Sequence, residues 1–184
     1  TLSSGGTVTQ AAPITAGSLL LHGTQPTSNF QLGLGTNNVA TLASRFETPA
    51  GAGAGFGDVN LVNAGALRIG ALSGVTVDSA NNLPQTVDAS ASSNSGGDFF
   101  ARSLVGNLTL AHDLATLGSD ITLVAANVFD NTAGAALQPG GSGRWTVWAD
   151  TWVGEARGGL APTAQNPNFY GCAFGAASCA SGVT

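Results

Sequence analysis

The stretch Ser119-Asp120-Ile121-Thr122-Leu123-Val124-Ala125-Ala126-Asn127-Val128-Phe129 decides the fold. It has a near copy upstream, Gly57-Asp58-Val59-Asn60-Leu61-Val62-Asn63-Ala64-Gly65-Ala66-Leu67, and a shorter echo in Asn107-Leu108-Thr109-Leu110-Ala111. Each begins with a small residue and a side-chain amide or carboxylate, then alternates aliphatic with polar. A period of two is the pattern of a strand with one buried face. It predicts Leu61 and Leu123 inward, Asn60 and Thr122 outward. One such unit cannot bury its apolar face alone, so recurrence points to stacked rungs of a β-solenoid.

The rest of the chain supports short strands and many turns. There are 27 Gly in 184 residues, with no collagen-like triplet, and they punctuate the apolar runs. Strands are predicted over Ser18–His22, Phe30–Leu32, Asn37–Ala43, Ala66–Gly70, Gly74–Asp78, Asp98–Val105 and Gly143–Trp152. Leu110, Leu114 and Leu117 also fit helical spacing, which leaves a helical turn open over Ala111–Leu117. Thr48–Gly57 (TPAGAGAGFG) reads as a Gly/Ala loop and Asn131–Ser142 as another. The polar stretch at about 78–97 reads as an excursion between rungs, because a long structureless loop inside a compact fold is otherwise suspect. Residues 1–160 are thus expected to form the solenoid, and 161–184 an irregular tail.

Charge narrows the function. Only 8% of residues are charged, against about 25% in ordinary globular chains. The net charge is −5, and all five basic residues are Arg. No basic face is available for nucleic acid, nor a polybasic patch for a membrane surface. No apolar run approaches the roughly 20 residues of a membrane-spanning helix. Without Lys, a Lys–Asn isopeptide crosslink is impossible. The missing Lys also leaves strand edges little protected, so the end rungs are expected to be covered by flanking rungs of a longer chain or by identical chains stacked head to tail. The chain starts at Thr1 without a signal peptide, the pattern expected of a processed chain or a piece of a longer one.

Cys172 and Cys179 have a spacing that permits a small disulfide-closed loop and matches no four-ligand metal motif. The other reading is two free, inert thiols. The disulfide, taken forward here, implies an oxidising compartment.

No catalytic constellation is legible. His22 and His112 have no second His, Cys or carboxylate at a ligand spacing, and Asp113 beside His112 faces the other way on a strand. Asp58 and Asp120 suit capping of turns through backbone N–H groups. Calcium binding would need dense Gly-Gly-x-Gly-x-Asp repeats, which are missing. A polysaccharide lyase or hydrolase would need clustered carboxylates, whereas the acids here are dispersed. An ice-binding Thr ladder is also absent. No metal, cofactor or catalytic residue is therefore expected. Trp145 and Trp148 fall on opposite faces of one strand, with Trp148 and Trp152 on the same face. One face is expected in the core, and the other to stack on sugars or a neighbouring chain. Phe169, Tyr170 and Phe174 are expected to dock the tail on a neighbouring rung or subunit.

The Gly57–Leu67 unit, the Asn37-Asn38-Val39-Ala40-Thr41-Leu42-Ala43 segment and Gly143-Arg144-Trp145-Thr146-Val147-Trp148 resemble filamentous-haemagglutinin-type exoproteins of bacterial two-partner secretion, over roughly residues 14 to 180. The resemblance implies a right-handed parallel β-helix, export across a Gram-negative envelope, and an adhesin or structural role. That family's secretion domain has no match here, so the resemblance implies an interior or trailing segment, or a chain released by processing. The sequence thus reads as a non-enzymatic, extracellular or cell-surface β-solenoid acting as adhesin or fibre segment, with Trp148, Trp152, Phe169, Tyr170 and Phe174 as its interaction surface. Host or matrix glycans are candidate ligands. A self-assembling filament subunit and a carbohydrate-active β-helix enzyme are the alternatives.

Overall fold

The computed structural model describes residues 1–47, 57–77, 82–89, 93–95 (by backbone alone), 97–176 and 179. Among these residues there are eighteen strands and no helix. Parallel pairing winds them into a β-solenoid of about six turns.

The first turn holds β1 (Leu2–Ser4) and β2 (Thr7–Thr9), the second β3 (Thr15–Gly23) and β4 (Asn29–Leu32), and the third β5 (Asn38–Phe46) and β6 (Val59–Asn63). The fourth starts with β7 (Leu67–Ile69), leaves for β8 (Leu72–Val77) and β9 (Pro84–Ala89), and returns through β10 (Ser93–Ser95) and β11 (Phe99–Ser103). The fifth holds β12 (Leu108–Leu110), β13 (Leu114–Thr116) and β14 (Ile121–Val124), and the sixth β15 (Phe129–Asp130), β16 (Leu137–Pro139) and β17 (Trp145–Ala149). A last strand, β18 (Asn168–Tyr170), begins another layer.

Stacking turns makes three parallel sheets, ordered β1-β3-β5-β7-β12-β15, β2-β4-β6-β11-β14-β17-β18, and β10-β13-β16. The two repeat copies occupy the same place in successive turns. Val59, Phe99 and Ile121 are register partners, as are Leu61, Ala101 and Leu123. Further along, Leu67, Leu108 and Phe129 form one column. The echo at Asn107 therefore aligns with the second half of the repeat, in the six-stranded sheet, rather than with its start. Leu61 and Leu123 are fully buried, while Asn60 and Thr122 point outward and are half-buried.

The glycines at the start of the Gly57 repeat and of the Gly143 segment have a steric cause. A Cβ on Gly57 would lie 1.6 Å from the Ser28 carbonyl oxygen, and one on Gly143 would lie 2.3 Å from that of Ser119. The turns pass too closely there for a side chain. The following Asp residues bridge turns: Asp58 Oδ1 accepts the Asp98 N–H at 2.9 Å, Asp98 Oδ1 that of Asp120 at 2.9 Å, and Asp120 Oδ1 that of Arg144 at 2.8 Å. Capping by Asp is thus realised between turns. At the next corner buried Asn37 and Asn63 do the same inside: Asn63 accepts from the Val39 N–H and donates to the Val39 carbonyl. Asn37 accepts from the Ile14 N–H and donates to the Leu32 and Val62 carbonyls.

Five expectations are corrected. Two concern loops: Asn131–Ser142 contains the paired strand Leu137–Pro139, and the excursion expected at about 78–97 starts earlier, at β8, while Ser93–Ser95 is already back in a parallel sheet. The helical alternative over Ala111–Leu117 fails, because Leu114–Thr116 is a strand pairing with Leu137–Pro139; its Leu114 is core while Leu117 is exposed. Residues 74–77 do not form a rung. They belong to an antiparallel β8–β9 hairpin that packs on the outside of the solenoid, through Leu72, Val87 and Ala89 against Leu20 and Ala43. Period two could not separate a rung from a hairpin arm, and the exposure of Val75 and Val77 does. Within the C-terminal tail, Asn168–Tyr170 adds a strand to β17. The Gly/Ala loop falls mostly on 48–56, outside the described residues.

Leu61→Asp and Leu123→Asp should each cost several kcal/mol, since a charge is then buried without a partner. Thr122→Asp, one residue away, should shift stability by less than about 0.5 kcal/mol, and Asn60→Asp should cost less than Leu61→Asp although Asn60 Oδ1 is itself buried. Urea denaturation of the four variants checks this; equal effects in both pairs would refute the register.

Candidate functional site

The outward side chains of the seven-stranded sheet form the most distinctive surface. Register alone creates it. Phe100, Thr122 and Thr146 stand in one outward column; Arg102, Val124, Trp148 and Phe169 stand in the next. Trp148 and Phe169, adjacent in register, stack with ring centroids 4.1 Å apart and planes at 18°. The tail then turns back over this face. Phe174 meets Trp148 edge-on at 5.3 Å and Phe100 at 5.4 Å, and Arg102 sits 5.6 Å from its ring centroid. Val124, although outward-facing, is only 5% exposed under this cover. Such aromatic contacts are worth about 0.5–1.5 kcal/mol each beyond the area they bury.

Beside the aromatics lies a groove of about 340 Å³, whose lining includes Trp148, Phe169 and Phe174 together with Asp120, Thr122, Arg144, Thr146 and Gln165. It combines an aromatic wall with hydroxyl, carboxamide, carboxylate and guanidinium groups. That set can hold a polyhydroxylated ligand, whose C–H faces pack on rings while its hydroxyls pair with the polar wall.

The predicted surface residues divide. Trp148, Phe169 and Phe174 come together. Trp145 is core, at 6% exposure. Trp152 lies beyond the end of β17, 66% exposed, apart from the aromatic cluster. Tyr170 alternates inward from Phe169 and packs against the core. Its hydroxyl donates to Glu155 Oε1 at 2.5 Å, and Glu155 Oε2 accepts from Arg157 Nε at 2.8 Å. Burial first, and the hydrogen bond to Glu155 second, push the Tyr170 hydroxyl up to about 12. The Arg157 guanidinium is also raised, chiefly by its hydrogen bond to Glu155. Sequence reading missed Phe100, Arg102, Thr122, Thr146 and Gln165 as neighbours of the aromatics. Period two placed the strand residues outward, but only inter-turn register sets them side by side.

Cys172 and Cys179 are joined by a disulfide, with Cα atoms 5.7 Å apart. The bridge closes the loop that carries Phe174. Among the described residues no three of His, Cys, Asp and Glu converge as metal ligands. His22 differs from its sequence reading. Its ring is 1% exposed and lies between Ser3 and Glu47, from the turns on either side. No family model, curated protein or solved structure matches this chain.

Tyr170 is the sole tyrosine, and the chain has no Lys. Its phenolate absorbance should therefore report one group, with a midpoint near pH 12 instead of about 10. A folded-state value above the unfolded one means the native state keeps the proton longer. The associated stability is present below about pH 10 and is lost as pH rises through 12. Thermal melts between pH 9 and 12 should fall more steeply for the wild type than for Tyr170→Phe. Identical slopes, or a midpoint at 10, would contradict the buried placement of the Tyr170 hydroxyl beside Glu155.

Mass spectrometry without reductant should find Cys172 bridged to Cys179. Opening so short a loop should cost at most about 2–3 kcal/mol. Reduction should raise the solvent accessibility of Trp148, read as stronger acrylamide quenching.

Proposed function

We propose that this chain is a segment of an extracellular or cell-surface β-solenoid of adhesin or fibre type, and that the outer face of its seven-stranded sheet is a non-catalytic surface for glycans. The observation that supports this reading is the groove that Trp148 and Phe169 line together with Asp120, Thr122, Arg144, Thr146 and Gln165. A solenoid suits the role because its rigid stack repeats an outward column at each turn, giving an extended platform. The disulfide beneath Phe174 fits an oxidising compartment outside the cytosol. The resemblance to filamentous-haemagglutinin-type exoproteins points the same way.

A second reading has its own support. Among the described residues, β2 and β18 are the end strands of one sheet and β1 is an end strand of another, whose other end strand, β15, is bridged by Ala156. Parallel edges of this kind can add the next turn of a longer chain or a second copy, and a contact that does not close gives a filament.

A glycan array followed by calorimetry tests the first reading. Trp148→Ala and Phe169→Ala should each weaken retention of a bound glycan by roughly tenfold or more, corresponding to the ~1–3 kcal/mol of one aromatic stacking contact. Trp152→Ala should leave binding unchanged. A folded Trp148→Ala protein that binds as the wild type would defeat the assignment. Light scattering and negative-stain microscopy address the second reading: discrete monomers at high concentration would remove the filament.

A further inference from the structure

We propose that Ser3, His22 and Glu47 form a hydrolytic site for carboxylic esters, in the groove between the first turns of the solenoid and the β8–β9 hairpin. This inference is independent of the glycan-binding face, which lies on another sheet.

The three residues lie far apart in sequence and meet through register. Ser3 and His22 are direct partners in the β1–β3 ladder, and Glu47 immediately follows β5, the next strand of the same sheet. Ser3 Oγ is 3.0 Å from His22 Nδ1, and His22 Nε2 is 3.2 Å from Glu47 Oε1. The imidazole is 1% exposed, whereas Ser3 is exposed. A nucleophile open to solvent, a buried base and a carboxylate beyond it are the arrangement that activates a serine. Glu47 as a carboxylate only accepts, so it places the ring hydrogen on Nε2. The Nδ1 lone pair then faces the Ser3 hydroxyl.

A groove of about 750 Å³ opens over these residues, lined also by Ser4, Thr24, Gln25, Thr76, Val77 and Gln85. Hydroxyls and carboxamides dominate that wall. It suits an ester whose alcohol portion is a polyol, such as an O-acylated sugar, whose hydroxyls the Gln25 and Gln85 carboxamides of the groove lining can meet.

The step balances without a cofactor. Ser3 Oγ bonds to the ester carbonyl carbon while its proton passes to His22 Nδ1. The C–O bond to the alcohol breaks, and the alcohol leaves with that proton. Water then attacks the acyl-Ser3, giving its proton to Nδ1. Release of the carboxylic acid returns the proton to Ser3 Oγ. Ser3 and His22 are the catalytic residues, and Glu47 is a positioning residue.

The full chain should be treated with a fluorophosphonate, which traps activated serines, and assayed with 4-methylumbelliferyl acetate and an O-acetylated sugar. One phosphonyl adduct mapping to Ser3 and steady ester turnover are expected. Ser3→Ala should abolish both while circular dichroism stays unchanged. Ser142→Ala, exposed in the loop before β17, should retain both. Glu47→Gln should lower kcat by about 10²–10⁴-fold with KM unchanged, as loss of the orienting carboxylate does in known triads. A folded wild-type protein that takes no adduct at Ser3 overturns the proposal. So does ester turnover that persists in Ser3→Ala, or a Glu47→Gln variant with wild-type kcat.

Discussion

Parallel hydrogen bonding between successive turns, in one register, is the constraint on which everything else in this molecule depends. Each turn pairs its backbone with the turns on both sides, so a residue is never placed alone. It enters a column with its partners. Val59, Phe99, Ile121 and Trp145 make one apolar column; Leu61, Ala101, Leu123 and Val147 make the next. A slip of one residue in any turn would send its whole apolar set to the outside. Column volume is balanced along the stack, with Ala101 seated between Leu61 and Leu123.

The same rule creates columns that are costly on their face. Asp58, Asp98 and Asp120 bring like charges to equivalent corners of consecutive turns. Each carboxylate accepts a backbone N–H from the next turn, a charge-assisted bond stronger than a neutral one. Two of the three side chains remain exposed, where solvent screens the repulsion. At the inner corner the answer is neutral: Asn37 and Asn63 are fully buried, and their amides meet carbonyls and N–H groups of adjacent turns. Leaving such a buried backbone group unpaired costs about 1–3 kcal/mol. The scarcity of charge in this chain follows, since a solenoid corner can be satisfied by amides and exposed backbone.

The C-terminal segment follows the solenoid's logic and then breaks it. Asn168–Tyr170 continues the stack with Trp148 opposite Phe169. Beyond it the chain folds back, and the disulfide-closed loop sets Phe174 on Phe100, Arg102 and Trp148. Most outward columns are polar and wet; this one is aromatic and partly covered. The aromatic surface is therefore made by three turns and the tail together, while Ser3, His22 and Glu47 are gathered by the first three turns beside the hairpin.

The sequence by itself determined the kind of fold and its faces. The repeats at Gly57 and Ser119, their period of two and the glycines sufficed for a β-solenoid with Leu61 and Leu123 inward, and the spacing of Cys172 and Cys179 permitted the bridge that the structure shows. These are local properties: alternation is written in adjacent residues, and glycines mark close approaches of turns such as those at Gly57 and Gly143. What only the tertiary structure decided is which residues meet. Gly74–Val77 alternates as a rung does, yet lies in an outer hairpin. His22 had no partner within reach along the chain, and register one turn away on each side supplied Ser3 and Glu47. Phe100, Arg102 and Phe174 joined Trp148 for the same reason. In a stack of turns the nearest neighbours of a side chain lie some twenty residues away, at a distance set by the length of each turn, and turn length varies here with every loop.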